Sequence, residues 1–280
     1  MVGNSECAQL LKNSYGNYLI AFVGSHTCAL PHEVLALSFV DIVLLNEGVY
    51  ALRNLLASNL KEDLRKIKGI GHKFDGKPTL NMPEIVVPND RMDVDMPGYA
   101  WDLLPFKTKP LDLYRAHFWH TEYKQDNRTP FAAVYTSLGC RFKCDFCMIN
   151  IVNRVDNGLE VASSHTPNMR FWSPAFMVSE FQKLADLGVQ HIRISDEMFF
   201  LSQKYFEPLL EGLIASDLNL KMWSYTRVDT VRERYLDLSK RAGINWLAVG
   251  IEAGNREVRR EVSKGTFEID DVSSVVKLIQ

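Results

Sequence analysis

Apolar positions along the chain fall into short unbroken runs and longer stretches with an apolar residue every three or four positions. Residues 18–23, Tyr-Leu-Ile-Ala-Phe-Val, predict a buried strand. Gly24-Ser-His-Thr predicts a turn, Pro31 to Ser38 a short helix, Asp41 to Leu45 a second strand and Val49 to Ser58 a helix. Strand, helix, strand, helix at this spacing implies a parallel, doubly wound sheet. The run from Lys61 to Lys68 mixes both charges and reads as a solvated helix face.

From Pro78 to Pro110 the pattern lapses, and six of the eleven prolines fall there. Glu84 to Val87 is expected as one short strand. The rest is expected as an extended linker pinned to a neighbouring surface by Tyr99, Trp101, Leu103 and Leu104. Tyr114, His117, Phe118, Trp119 and His120 form an aromatic patch read as packing.

The pattern resumes at Phe131 to Thr136, an apolar strand with aromatic and β-branched members. Asn150 to Arg170 is polar and turn-rich; a lid and a plain surface excursion both remain open. Ser173-Pro174 opens a helix with Phe176, Met177, Phe181 and Leu184 on its buried face and Gly188 at its end. Strands follow at 189–194, 220–225 and 246–251, separated by helices from Ser202 to Ser216, with Pro208 delaying or kinking it, and from a cap at Asp229 or Thr230 to Gly243. A last helix begins near Asp270. Four strand–helix units of this length predict a parallel barrel segment. Boundaries are expected at 1–77 for the first domain, 78–128 for the linker and 129–280 for the barrel.

Composition changes this little: 46% hydrophobic, 24% charged and a net charge of −2 suit a globular chain with a sizeable core. That charge gives no electrostatic case for nucleic acid. The longest apolar run, Val34 to Leu45, is too short for a membrane span and is broken by Asp41. The N-terminus lacks the pattern of a signal peptide.

The cysteines change it a great deal. Three of five stand as Cys140-x3-Cys144-x2-Cys147, a spacing that chance would give about 0.002 times. An odd, clustered count argues against a secreted disulfide framework and for a reducing cytoplasm. Three thiolates on a four-iron cube leave one iron open for a substrate. A structural zinc wants a fourth ligand, and neither His120 nor His165 has a finger-like spacing. Cys7 and Cys28 receive no role.

This motif, with Phe146 before its last cysteine, resembles the signature of the radical S-adenosylmethionine superfamily, on the loop after the first barrel strand. The resemblance implies a [4Fe–4S] cluster on Cys140, Cys144 and Cys147, with Phe146 excluding water from it. It also implies S-adenosylmethionine cleavage to a 5′-deoxyadenosyl radical and a ferredoxin- or flavodoxin-type electron donor. Ser195-Asp196-Glu197-Met198-Phe199 resembles the acidic motif that receives the methionine amino group. Ser224 and Arg227 resemble the family's polar ledge, and Gly250-Ile251-Glu252-Ala253-Gly254 its ribose-binding turn. Val23-Gly24-Ser25-His26, Ala29-Leu30-Pro31 and Asn46-Glu47-Gly48 resemble the second half of the cobalamin-binding domain found before many such barrels. There Gly24, Ser25, His26, Glu47 and Gly48 are the cobalamin candidates, although no Asp-x-His-x-x-Gly supplies a lower ligand.

The fold class expected is therefore α/β: a partial Rossmann-like, cobalamin-binding-like domain, then a partial parallel (β/α) barrel with four of six strands. A chain that stops there is expected to be a fragment or a shortened gene product. The expected function is hydrogen abstraction from, or cobalamin-assisted methylation of, a small-molecule substrate. A non-catalytic iron–sulfur or zinc protein, or a cobalamin module with a truncated barrel, stands as the alternative.

Overall fold

The computed structural model describes residues 2–16, 18–59, 63–105, 108, 124, 130–142, 144–149, 169–262 and 267–280. The loop expected at 150–170, save Met169 and Arg170, and the aromatic patch at 114–120 lie outside the described residues. The chain divides into two compact units, one built on residues up to Pro88 with 147–149, the other on residues from Asn89 to Phe146 and from Met169 onward.

The first unit runs α1 (Val2–Ser14), β1 (Ala21–Phe22), α2 (Ser25–Ala29), α3 (Pro31–Ala36), β2 (Ile42–Leu44), α4 (Val49–Ala57), β3 (Ile70–Phe74) and β4 (Lys77–Leu80). The strands make one sheet in the order β1-β2-β3-β4. β1 and β2 pair in parallel, as expected, but β3 and β4 are antiparallel, so the sheet is mixed. The hairpin turns on Asp75 and Gly76, both at positive φ (49° and 76°), as a two-residue turn matching the strand twist requires. Ile42, Leu44, Ala51, Leu55, Ile67 and Ile70 fill one face of the sheet, and Val34, Leu35, Val40, Val43 and Leu45 the other. This two-sided burial explains the unbroken apolar run of β2.

Several local expectations change. The first strand is confined to two residues, and the turn after it is the helix α2. Of the mixed-charge run, Leu64–Lys66 forms a 3-10 turn. Residues 84–87, expected as a strand, have no regular secondary structure and join no ladder. Asn46 Nδ2 donates to the Glu84 carbonyl at 2.7 Å, and the Val87 N–H donates to Glu47 Oε1. Loop side chains thus take the place of a neighbouring strand.

The second unit begins with α5 (Met92–Asp95). Trp101 is buried and stacks on Tyr99 at 4.7 Å, as expected of the pinning residues, whereas Leu103 is 79% exposed. Gly98, at φ 89°, lies against the buried Glu180 carboxylate, where a Cβ would come within 2.6 Å of Oε2.

Then come β5 (Phe131–Val134), β6 (Ser137–Leu138), β7 (Arg170–Phe171), α6 (Pro174–Asp186), β8 (His191–Ile194), α7 (Gln203–Ser216), β9 (Lys221–Arg227), α8 (Glu233–Arg241), β10 (Ile244–Gly250), α9 (Arg256–Val262) and α10 (Ile269–Ile279). β5, β8, β9 and β10 form a parallel sheet in the order β10-β9-β8-β5. Ser173 caps α6, its Oγ accepting the Phe176 N–H at 3.2 Å, with Pro174 in the first turn. α7 runs through Pro208. A 3-10 turn, Val228–Thr230, precedes α8, so neither Asp229 nor Thr230 is its cap, and α9 is a further helix before α10.

Strand parity fixes what each face of this sheet carries. The paired positions Ala132 and Ile192, then Val134, Ile194 and Ser224, with Met222 beside Ile192, form one face, and all are buried. The apolar residues among them share the core with Phe181 and Leu184 of α6 and Phe206, Leu209 and Leu213 of α7. Ala133, Arg193, Trp223, Tyr225 and Ala248 belong to the opposite face.

Candidate active site

The cysteine loop leaves the C-terminal end of β5, the end at which parallel α/β sheets gather their chemistry. Tyr135 follows the strand, then Thr136 and β6, which pairs with β7, then Gly139 at φ 93° and Cys140. Cys140 is buried, Cys144 and Cys147 are partly exposed, and none is in a disulfide. The Asp145 N–H donates to the Val262 carbonyl at 2.8 Å, tying the loop to the end of α9.

Phe146, the ring expected to exclude water from a cluster, is 62% exposed. Phe142 is the packed aromatic of the loop, with the Arg227 guanidinium 3.6 Å from its ring centroid. Sequence reasoning passed over Phe142 because the motif names only the aromatic before the third cysteine.

Asp196 and Glu197 differ sharply. Asp196 is 1% exposed and accepts the Thr136 N–H, the Thr136 hydroxyl and the Ser137 hydroxyl, each at 2.6 Å. Burial raises its pKa and these donors oppose the rise. Its oxygens are committed to joining the exits of β5 and β8, which leaves no place for a ligand's ammonium group. Glu197 is partly buried, and burial first, then the Asp196 charge, pushes its pKa up to about 7, against hydrogen bonds from its own backbone and from Gly139. Its Oε2 is buried and has no hydrogen-bond partner. An orphaned carboxylate oxygen beside the cysteine loop is suited to receive a cationic group.

Arg227 is 1% exposed and forks onto Asp229, its Nε donating to Oδ1 at 2.7 Å and its Nη2 to Oδ2. Burial disfavours its charge. The bonds and charge of Asp229, with Cys144 and Glu252 beyond, outweigh that and raise its pKa. Ser224 does not join it. Residues three apart in a strand face opposite ways, and Ser224 lies fully buried on the helix-covered face with Oγ unpartnered.

Glu252 is exposed, at φ 70°, just past β10. Its Oε1 would lie 2.5 Å from any Cβ at Gly250, so that glycine lets the carboxylate fold back over the strand end. Arg259, 1% exposed, braces this turn by donating to the carbonyls of Ala253 at 2.6 Å and Phe267 at 2.9 Å. Nothing in its local pattern marked Arg259 for that work.

The fit to an iron–sulfur cluster rests on donor chemistry: three uncrosslinked thiols in one loop, with a cation of the sign that favours thiolate near Cys144. Among the described residues no three of His, Cys, Asp or Glu stand close enough to hold a metal ion, these thiols included.

In the first unit, Gly24 at φ 115° and Gly48 at φ 79° sit just past the C-terminal ends of the parallel strands β1 and β2. Ser25 and His26 start α2 rather than a turn. His26 Nε2 is buried without a hydrogen-bond partner, 3.5 Å from Glu33 Oε1. A Cβ at Gly48 would stand 2.7 Å from Val23 Cγ2. Glu47 is already held by the Val87 N–H and is not a free ligand. Among the described residues no helix is long and apolar enough to cross a membrane.

Comparison with known proteins adds the following. Residues 134–272 match the model of the radical SAM superfamily. An uncharacterized methyltransferase of Pyrococcus horikoshii is 24% identical over 96% of this chain and 52% of its own length. An anaerobic magnesium-protoporphyrin IX monomethyl ester cyclase of Synechocystis is 21% identical over 96% of this chain and 49% of its own. The chain thus spans about half the length of these relatives. The structure of the radical S-adenosylmethionine methyltransferase TsrM from Kitasatospora setae, with cobalamin and a [4Fe–4S] cluster bound, superposes with a TM-score of 0.69 at 17% identity, covering 98% of this chain and 50% of that one. The cobalamin-dependent S-adenosylmethionine radical enzyme OxsB, with aqua-cobalamin and S-adenosylmethionine bound, gives 0.68 at 18% identity, covering 98% and 37%.

Proposed function

Residues 134–272 belong to the radical SAM superfamily, and from that premise we propose that the chain binds a [4Fe–4S] cluster through Cys140, Cys144 and Cys147 and holds S-adenosylmethionine at the same strand ends. The observation that carries this reading is the set of three thiols, none in a disulfide, on the loop leaving β5, beside an acid with an unpartnered oxygen. When bound, the cluster and its cosubstrate would supply one-electron cleavage of the sulfonium, with the electron drawn from a small redox protein such as ferredoxin or flavodoxin.

The chain's own residues bind and orient. Glu197 receives the methionine amino group in place of Asp196, whose oxygens are committed elsewhere. Arg227 acts as a positioning residue, holding Phe142 and so the cysteine loop, while Asp229 keeps its fork in place. Glu252 accepts hydrogen bonds from ribose hydroxyls. The reaction is hydrogen-atom abstraction from a small-molecule substrate, or methyl transfer to it when cobalamin is held by the first unit. The methyl-transfer branch is supported by the glycine turns past adjacent parallel strands, where open α/β sheets take ligands, and by the orphaned His26 Nε2. There Gly24, Ser25, His26 and Gly48 would line the contact.

Anaerobic reconstitution tests the reading. Wild-type chain is expected to take up iron and sulfide in equal amounts and, after dithionite, to release 5′-deoxyadenosine. Cys144→Ala should lose the cluster, and Cys7→Ala should keep it. Glu252→Ala should keep the iron but bind S-adenosylmethionine about tenfold more weakly. One tightly held zinc and no deoxyadenosine would establish a binding protein instead. Titration with hydroxocobalamin, followed by absorbance, decides the cobalamin branch.

A further inference from the structure

The face of the parallel sheet turned away from its helices carries a group of side chains that the cofactor reading leaves unused. Arg193 stands in the middle of β8, paired with Ala133 on one side and Trp223 on the other. Its Nε donates to Ser195 Oγ at 3.0 Å, which directs the guanidinium along the strand toward the end where the cysteine loop begins. Its Cζ lies 5.7 Å from the centroid of the Trp223 ring. Trp223 in turn packs on Tyr225, with centroids 5.0 Å apart and rings tilted by 57°.

Tyr135, just past β5, completes the group. Burial raises its phenol pKa; the Glu197 charge adds to this and the Arg193 charge opposes it, so both ionic groups lie within electrostatic range of its hydroxyl. Ala133 and Ala248 supply only methyl groups to this face, and Trp246, paired with Trp223, adds a half-exposed indole at its β10 edge.

Arg193 is partly buried, yet it has no carboxylate partner among the described residues. Partial withdrawal of a guanidinium from water weakens its solvation, and a bound carboxylate would offset that loss. Its remaining edge offers a planar fork matched to a carboxylate, and Tyr225, partly exposed where Trp223 is buried, offers an apolar ring surface nearby. Asp196 and Glu197 do not fill the role: Asp196 is enclosed by Thr136 and Ser137, and the free oxygen of Glu197 makes no hydrogen bond.

We propose that Arg193 anchors a carboxylate of the substrate, and that this substrate carries its carboxylate beside a planar ring that packs on Tyr225, the more exposed of the two rings. This deepens the site reading given above and rests on it. Arg193 sets which substrate enters and takes no part in cofactor cleavage. Because S-adenosylmethionine also bears a carboxylate, the test has to separate the two sources.

The experiment is calorimetric titration of the chain, wild type and variants, with three probes: 2-naphthoate, its neutral carboxamide, and S-adenosylhomocysteine. Wild type should bind the acid about tenfold more tightly than the amide. Arg193→Gln should bring the acid down to the affinity of the amide while leaving S-adenosylhomocysteine binding unchanged. Arg193→Lys should keep part of the preference, since it retains the charge and loses the fork. Thermal melting of each variant guards against misfolding, and the Lys variant keeps the comparison open if the Gln variant melts early.

Equal affinities for acid and amide in the wild type, or no binding of either, would overturn the proposal. So would a parallel loss of S-adenosylhomocysteine affinity in Arg193→Gln, which would assign Arg193 to the cofactor. Loss of S-adenosylhomocysteine binding by the wild type alone would instead sink the cofactor reading, and the acid-to-amide ratio would still be read on its own.

Discussion

Asp196 and Glu197 are adjacent in sequence and meet opposite fates, because neighbours at a strand end are turned to different surroundings. Asp196 spends its oxygens on Thr136 and Ser137, while Glu197 keeps one oxygen buried and free. The sequence pointed to both as a pair and could not rank them, since the hydroxyls that claim Asp196 lie about sixty positions earlier in the chain. The same limit let Ser224 and Arg227 be grouped when parity separates them. The cysteines needed no such context, because their spacing is itself the chemistry.

The free acid makes a prediction with a definite sign. The folded pKa of Glu197 is raised from 4.5 to about 7. Its contribution to stability is full below the unfolded value and is lost as pH rises through the folded one. The loss is on the order of 1–3 kcal/mol once partial exposure is allowed for. Glu197→Gln should remove that loss, so its urea midpoint should exceed that of the wild type at about pH 8 and match it at about pH 4. A wild-type-minus-variant difference that is flat across this range would show the carboxylate to be better solvated than its surroundings imply.

At the scale of elements, the strand–helix alternation of the second unit was legible because burial on one sheet face and one helix stripe writes a period into the sequence. The β3–β4 hairpin was not read, although Asp75-Gly76 is among the strongest short turn signals. Gly71, His72 and Pro78 break the apolar alternation around it and hid the two strands. α9 was missed for a related reason: its inward contact is Arg259, a charged residue braced on carbonyls, so no apolar stripe marks it. Gly243, in contrast, was expected to end a helix, and its tertiary setting is tighter than that role requires. It sits at φ 96° between α8 and β10, and a Cβ there would lie 2.2 Å from the Leu220 carbonyl oxygen. Backbone cannot swing aside as a flexible side chain can, so β9 and β10 would have to part. Gly243→Ala is expected to cost roughly 2–4 kcal/mol, seen as a lower urea midpoint for the second unit. A change below about 0.5 kcal/mol would show that the strand pair absorbs a methyl group without separating.

At the scale of the whole molecule, each compact unit buries its own apolar residues. Ile70 illustrates this: it is fully buried among Ile42, Leu44, Ala51, Leu55 and Ile67, all within the first unit. The residues proposed to contact S-adenosylmethionine, Glu197 and Glu252, belong to the second, as do Cys140 and Cys144, while Cys147 is grouped with the first. A cavity opened at Ile70 should therefore act on the first unit's stability and leave that binding alone. Ile70→Ala is expected to cost about 2–5 kcal/mol, because a fully packed sheet interior relaxes only partly around a lost side chain. In urea this should appear as an earlier first transition with the second transition unmoved, since separate cores permit separate unfolding. S-adenosylhomocysteine affinity, measured below the first transition, should change less than about twofold. If both transitions move together, or if affinity falls with the first, the two cores are energetically one.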